Sequence, residues 1–290
     1  MGQIKKVGFV GFGSMAKLMA KRLVNADFDI VAFDPQYHQQ ELDGVKLFPD
    51  AASLAREVDA VIVSVPADAA LEQASEGPGG ILEGARNGLL LLNTSTVSLE
   101  ASKKLAEASV KRGVRFVETP VSGSTPQAQN GTLVILAGGN VADLSLAEPI
   151  LNAIGQKTVH VGAIGQGLVL KYIVNGIMAL SVAALAEGIA YGVASGLDRD
   201  ALIDTLKDLT LISEHDRPKL DMAKARSYEA QFSTKLLVKD IGLLLSHAGK
   251  QSVPLAGMAA VSQIYALATA KHADDDYSAV METMEELASK

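Results

Sequence analysis

Six short apolar segments, separated by stretches with helical spacing, constrain the fold of this chain more than any other feature. The apolar segments are residues 5–13, 28–34, 58–66, 88–96, 114–121 and 133–139, and the helical patterns between them cover 14–26, 51–58 and 98–113. Strands that are apolar on both faces and alternate with helices are typical of a parallel sheet covered on both sides. The pattern therefore predicts an α/β fold with a doubly wound sheet.

The remainder of the chain has a different pattern. Beyond about residue 160 the sequence is rich in Ala and Leu at helical spacing. Gly162 and Gly165 flank the start of the first helix there, which places a domain boundary between them. We therefore predict one domain over residues 1–163 and an all-α domain over 164–290, which begins with a long interdomain helix. The helices predicted in it cover residues 167–194, 198–209, 213–225, 235–249, 255–271 and 277–289.

Composition excludes several classes of partner. The formal net charge of -7 and the pI near 5.3 leave no basic excess to displace counterions from phosphates, so no nucleic-acid partner is expected. The chain has no cysteine, which suits a reducing cytoplasmic compartment. Its five histidines show no pair at ligand spacing, and no metal is expected.

No membrane partner is expected either. The apolar interval between Lys171 and Glu187 is shorter than the roughly 20 residues of a membrane span, which favours a long buried helix. The apolar start of the chain is interrupted by Gly11 and Gly13, so we interpret it as a first strand and not as a signal peptide.

The glycines after the first strand predict a dinucleotide site. Gly11, Gly13 and Ala16 form a G-x-G-x-x-A pattern between a predicted strand and a predicted helix. Gly11 allows a tight turn and Gly13 lets a pyrophosphate approach the backbone, while the helix N-terminus at Ser14 and Met15 attracts the anion. This is the arrangement of a Rossmann-type domain.

Asp34 ends the next strand at the interval expected for the ribose ligand of such a site. A carboxylate there accepts hydrogen bonds from both ribose hydroxyls and repels a 2′-phosphate, and no arginine follows it in residues 34–40. NAD is therefore preferred over NADP as the predicted cofactor. The alternative is that Asp34 only forms a turn with Pro35.

Lys171 lies in the middle of the apolar stretch GQGLVLKYIVNG, where an amine is costly unless it is paired, solvated or used. Asn175 follows four positions later, so both side chains lie on one helix face and reach the same ligand. Apolar surroundings disfavour the charged amine, which suits a group that exchanges protons. The alternative is a lysine whose stem covers apolar surface.

Three stretches of the chain resemble the β-hydroxyacid dehydrogenase family, whose members are 3-hydroxyisobutyrate dehydrogenase-like. They are VGFVGFGSMAKLMAKRL, ETPVSGSTPQAQNGTLVILAGG and GAIGQGLVLKYIVNG. The resemblance implies an NAD-dependent oxidoreductase that transfers hydride between a small 3-hydroxy acid and the nicotinamide. It also implies Lys171 as general acid/base, Asn175 as the residue that orients substrate and lysine, and assembly into a homodimer or homotetramer.

Further site residues follow from the resemblance. Ser122 and Gly123 match substrate-binding positions, and a hydroxyl beside an exposed backbone N–H suits a carboxylate. Ser124 stands where the family usually has a second glycine, so we expect it to affect substrate choice. In the same stretch Glu118 stands where aspartate is commoner.

Three further positions match residues of the family near the cofactor. Pro66 begins the cofactor loop, Thr96 meets the nicotinamide and the substrate, and Lys239 lies near the cofactor. We expect the adjacent Asp240 to hold the helix or the lysine.

Three alternative functions remain open. An NADH-dependent reductase of a small aldehyde acid, of the semialdehyde or sulfolactaldehyde type, would use the same residues in the reverse direction. An imine reductase generally lacks the lysine at position 171. A non-catalytic NAD-sensing protein would not need Lys171, Asn175 and Ser122 together.

Overall fold

A computed structural model describes residues 4–289 and divides the chain into two compact units, one ending at Lys171 and one beginning at Tyr172. The first unit is built on a ten-stranded sheet. Its strands are β1 (Lys6–Val10), β2 (Asp29–Phe33), β3 (Glu41–Leu42), β4 (Val45–Leu47), β5 (Ala60–Val63), β6 (Leu90–Asn93), β7 (Arg115–Glu118), β8 (Val121–Ser122), β9 (Leu133–Gly139) and β10 (Gly155–Gly162).

The sheet is mixed, whereas the sequence pattern predicts a wholly parallel sheet. The strand order is β10-β9-β7-β6-β5-β1-β2-β4-β3, with β8 paired to β9. Strands β7, β6, β5, β1, β2 and β4 run parallel, but β9 is antiparallel to β7 and β8, and β3 is antiparallel to β4. The chain between β7 and β9 is short and itself contains β8, so it reverses direction where a parallel pair would need a full crossover.

Helices cover this sheet. They are α1 (Ser14–Val24), α2 (Ala51–Glu57), α3 (Asp68–Glu76), α4 (Ile81–Gly84), α5 (Leu99–Lys111), α6 (Thr125–Asn130) and α7 (Val141–Ile154). Helices α1, α2 and α5 were predicted, and the α/β class is confirmed. Helices α3, α4, α6 and α7 and strands β3, β4 and β10 lie outside the predicted elements.

The core of the first unit explains why the central strands are so apolar. Every residue of β5 and β6 is buried, because helices pack on both faces of these strands. From α1, Ala16, Met19 and Leu23 pack against Val7 and Phe9 of β1. The start of α1 is thereby held at the carboxyl end of β1, where the glycine pattern lies.

The second unit is helical, as predicted, and its first helix begins within the first unit. The helices are α8 (Gln166–Ala194), α9 (Arg199–Asp208), α10 (Arg217–Ala225), α11 (Thr234–Lys250), α12 (Ala256–His272) and α13 (Val280–Ala288), with one 3₁₀ turn at Tyr277–Ala279. A separate core includes Ile189, Ile203, Leu237 and Tyr265. The predicted boundary between residues 163 and 164 lies just before α8, whereas the contacts divide the chain at Lys171, within that helix.

Helix α8 is longer than its most apolar interval. Within the described residues it is the one helix long and apolar enough to cross a membrane by length and composition, and 44% of its most apolar window is buried inside the protein. The sequence-based argument that the apolar stretch is too short for a span is therefore wrong as to length. A buried core helix satisfies the same criterion, so this is weak evidence for a membrane.

Candidate active site

The glycine loop between β1 and α1 has the geometry of a dinucleotide-binding turn. Gly11 has a positive φ of 85°, and a Cβ there would lie 2.2 Å from the carbonyl oxygen of Ser64. Gly13 is exposed at the start of α1, and among the residues described no side chain caps that helix. The first amides of α1, at Ser14 and Met15, are therefore suited to bind an anion.

Asp34 lies directly against this loop. Its Oδ2 accepts a hydrogen bond from Phe12 N at 2.7 Å, and its Oδ1 accepts one from Gln36 N at 2.9 Å. Each carboxylate oxygen has a second lone pair, so the group can still accept hydrogen bonds from a ribose. The second bond also closes a turn after β2, so Asp34 has the structural role of the alternative interpretation, and its cofactor role stays a prediction.

The loops after β5 and β6 are fastened to each other. The two strands are parallel neighbours, and Val65 N donates to Ser95 Oγ at 3.0 Å. Pro66 is exposed in the first loop and Thr96 is half-buried in the second. Both predicted cofactor positions thus lie at the carboxyl edge of the sheet, where ligands of such sheets bind.

The loop from Ser122 to Ser124 follows β8. Gly123 has a positive φ of 123°, and a Cβ there would lie 2.9 Å from Gln127 Cβ and Leu133 Cδ2. Ser124 donates hydrogen bonds to Gln127 Oε1 from its backbone N at 3.0 Å and from its Oγ at 3.1 Å. Ser124 therefore holds the start of α6, and its oxygen keeps the capacity to accept a hydrogen bond from a ligand.

Asp240 connects two of the predicted site residues in the second unit. Asn175 is 3% exposed on α8, and its Nδ2 donates to Asp240 Oδ2 at 2.6 Å. Asp240, on α11, is 2% exposed, and its Oδ1 lies 2.8 Å from Lys239 Nζ. The carboxylate thus fixes the Asn175 amide with its nitrogen toward Asp240, and it pairs with Lys239 as well.

The role of Asp240 toward Asn175 is a feature that the sequence pattern did not reveal. The available signal was its position between Leu237 and Ile241, which places a carboxylate on the buried face of α11. Lys171 lies four positions before Asn175 on α8 and is half-buried.

Glu118 is a second buried carboxylate, and it is not among the predicted site residues. It is fully buried at the end of β7, where its Oε1 accepts from Ser102 Oγ at 2.5 Å and its Oε2 accepts from Gly165 N at 2.6 Å. Burial raises the pKa of Glu118, against the opposing effects of Ser102 and of the Gly165 amide. The signal in the sequence was a glutamate at the end of an apolar strand.

The part of the chain that the structure describes contains no group of three or more His, Asp or Glu side chains arranged to hold a metal ion. The candidate functional groups lie on an α/β unit of the nucleotide-binding type and on a helical unit. The helical unit carries a buried amide, a carboxylate and a lysine.

Comparison with known proteins agrees with this class. Residues 6–162 match the family model described as the NAD binding domain of 6-phosphogluconate dehydrogenase. Residues 165–284 match the one described as NAD-binding of NADP-dependent 3-hydroxyisobutyrate dehydrogenase.

Individual relatives match over nearly their whole length. Mitochondrial 3-hydroxyisobutyrate dehydrogenase of Bos taurus is 31% identical, with 97% of this chain and 87% of that protein covered. 2-(Hydroxymethyl)glutarate dehydrogenase of Eubacterium barkeri is 29% identical, with 97% and 95% covered. The solved structure of Mycobacterium tuberculosis 3-hydroxyisobutyrate dehydrogenase with L-serine has a TM-score of 0.84 at 26% identity, with 97% and 99% covered.

The chain belongs to the β-hydroxyacid dehydrogenase family, in its 3-hydroxyisobutyrate dehydrogenase-like branch. The resemblance seen in the sequence is thereby confirmed. The protein is an NAD(P)-dependent oxidoreductase of the hydroxyacid dehydrogenase type.

Proposed function

We propose that this protein transfers hydride between a small 3-hydroxy acid and NAD, with Lys171 as the general acid/base. The observation that carries the proposal is the fixed amide of Asn175, which Asp240 holds four positions along α8 from the half-buried Lys171. One amine and one oriented amide on the same helix face suit a substrate oxygen that must be both held and deprotonated. L-serine, named with the mycobacterial relative, also carries a hydroxyl on the third carbon of an acid.

The proposed mechanism assigns one task to each group. Bound NAD supplies the hydride acceptor for oxidation and, as NADH, the hydride donor for reduction. Lys171 takes the proton of the substrate hydroxyl as the carbonyl forms, and it returns that proton in the reverse direction. Ser122 and the exposed amide of Gly123 bind the carboxylate, and Asn175 orients the substrate oxygen toward Lys171.

Asp34 supports the preference for NAD over NADP. Its carboxylate lies beside the glycine loop, where a 2′-phosphate would meet its negative charge. The nearby part of α1 offers little positive charge to bind a 2′-phosphate, because Lys17 already pairs with Asp43 at 3.5 Å and lies over the ring of Tyr37. One matching family model is described as NADP-dependent, so the cofactor preference has to be measured.

A second candidate is the reduction of a small aldehyde acid by NADH, with Lys171 donating the proton. Ser124 favours this function for a substrate that carries a second polar group, such as a semialdehyde or a sulfolactaldehyde. Its hydroxyl adds hydrogen-bonding capacity beside Ser122 that a glycine would lack.

An exposed apolar face on α8 supports a homodimer or homotetramer. Ile173, Ile177 and Leu180 follow one another at helical spacing and expose 47%, 62% and 38% of their surface. Contiguous exposed apolar side chains of this kind mark interaction surfaces. A cytoplasmic location remains a prediction from the absence of cysteine.

The test is a screen of 3-hydroxy acids with NAD and NADP, and of the matching aldehydes with NADH and NADPH. The wild-type protein is compared with Lys171→Ala and with Lys111→Ala, a control at an exposed position of α5. We expect Lys171→Ala to lower turnover about 10²- to 10⁴-fold, the usual share of a positioned proton-transfer group, with NADH binding unchanged. Near-normal turnover of Lys171→Ala would contradict the assigned role, and cofactor binding without turnover of any acid would indicate a sensor.

A further inference from the structure

Glu118 holds the beginning of α8 from a distant part of the chain. Its Oε2 accepts the N–H of Gly165, the residue before α8, at 2.6 Å. The backbone of Leu168, in the first turn, opposes the rise in the pKa of this carboxyl. Its Oε1 is held by Ser102 of α5. Helix α8 has no acidic residue in its own first turn, so a carboxylate 47 positions before Gly165 takes the place of a local N-terminal acid.

Glycines bring the same turn against the sheet. A Cβ at Gly138 of β9 would lie 3.0 Å from Glu118 Oε2 and 3.2 Å from Gly167 N. A Cβ at Gly167 would lie 2.4 Å from the carbonyl oxygen of Leu136. The first turn of α8 therefore lies directly on β9 with Glu118 beside it, and there is little space for it to shift.

We propose that Glu118 is a positioning residue for Lys171, because it fixes and electrostatically balances the first turn of α8, which directly precedes the turn that carries the lysine. Gly167, which packs against β9 beside this carboxylate, lies four positions before Lys171 and therefore on the same side of α8. This assignment rests on the proposed role of Lys171 as the general acid/base.

The charge of Glu118 matters beyond its hydrogen bonds. The N-terminus of a helix carries a partial positive charge, which disfavours a second positive charge on a lysine in its first turns. The Glu118 carboxylate offsets that field. From α5 the ammonium of Lys103 acts on Glu118, and a Cβ at Gly165 would lie 3.1 Å from Lys103 Cε, so this cation faces the same turn.

Glu118→Gln keeps the shape of the side chain and removes its charge. In the oxidation direction we expect kcat to fall about 10-fold, as for a slightly misplaced catalytic group, while NADH binding is unchanged. The pH limb of kcat that reports Lys171 should move to lower pH by about 0.2 to 0.7 unit, since the helix end is then less neutralised. Glu107→Gln, at an exposed position of α5, is the matched control and should leave both values unchanged.

A lower melting temperature of Glu118→Gln with kcat and the pH limb unchanged would overturn the proposal, because the carboxylate would then only stabilise the fold. Amide hydrogen exchange provides a readout that needs no turnover. In Glu118→Ala the amide of Gly165 should exchange at least about 10-fold faster than in wild type or Glu107→Ala, because it loses its acceptor.

Unchanged exchange at the Gly165 amide would also refute the proposal. If the wild-type protein turned over no 3-hydroxy acid or aldehyde, the proposed function would fail, and the exchange rates would still decide whether Glu118 holds the turn.

Discussion

Gly167→Ala tests whether the close contact between α8 and β9 sets the position of Lys171. The added Cβ would lie 2.4 Å from Leu136 O, where ordinary contact begins at 3.4 Å. The obstacle is a backbone carbonyl within the sheet, so the helix turn has to move by about 1 Å. Because a misplacement of that size near the chemistry costs about 10²-fold, we expect kcat to fall about 100-fold.

The matched control lies on the same helix. A Cβ at Gly188 would meet nothing within 4 Å, so Gly188→Ala exchanges the same residue types without a clash. It should leave kcat unchanged and stabilise α8 by about 0.5 to 1 kcal/mol, since alanine favours helix more than glycine does. Gly167→Ala should instead lose about 1 to 3 kcal/mol of stability through overpacking.

The assay combines turnover of the best substrate from the screen, NADH affinity by nicotinamide fluorescence and thermal unfolding. The chain has no tryptophan, so indole emission does not interfere. We expect NADH affinity to be retained, because the glycine loop lies on other elements. If Gly167→Ala lost stability but kept wild-type kcat, the turn could shift without moving the reacting amine, and the argument would be refuted.

Three further substitutions test other groups. Asp34→Ala should weaken NADH binding about 10- to 100-fold, because hydrogen bonds to a charged group contribute about 1.5 to 3 kcal/mol. The affinity for NADPH should not fall. Equal losses of affinity for both cofactors would contradict the proposed contact with the ribose. Asp240→Ala should lower the free energy of unfolding by about 1 to 3 kcal/mol, because it leaves the buried Asn175 amide without an acceptor, and Asp240→Asn should restore most of that loss in chemical denaturation. Burial raises the pKa of Glu118 above 4.5, so the folded state binds this proton more tightly than the unfolded state does. Its contribution to stability is therefore greatest below pH 4.5 and is lost as pH rises through the folded pKa. The melting temperature of wild type should fall relative to that of Glu118→Gln as the pH rises above 4.5.

Local pattern was sufficient for much of the fold. The central strands and α1 follow from continuous apolar runs and from the glycine pattern, in which Gly11 has the positive φ that the turn after β1 requires. Helix α7 escaped prediction because Pro149 lies inside it and breaks the helical signal. Strand β10 escaped because it is largely exposed and has no apolar run.

The hydrogen bonds between distant residues of the site could be found only in the folded structure. Asn175 and Asp240 are 65 positions apart, and Glu118 and Gly165 are 47 apart, so no local spacing reveals either bond. The sequence identified residues whose type suits the chemistry, such as Lys171. It also predicted that Asp240 holds its helix or Lys239, but it did not identify Asn175 as a partner of Asp240 or Gly165 as a partner of Glu118, because tertiary packing alone decides these contacts.

The two separate cores have a consequence for how this protein loses its structure. Val7 and Phe9 belong to one cluster and Leu237 and Tyr265 to another, so each unit has its own source of cooperativity. If the two units unfold in separate transitions, a single melting temperature averages two events and two-state treatment does not apply. NADH bound at the glycine loop stabilises its own unit by about 2.7 kcal/mol at a concentration 100 times Kd, which would separate the two transitions and assign each variant to one of them.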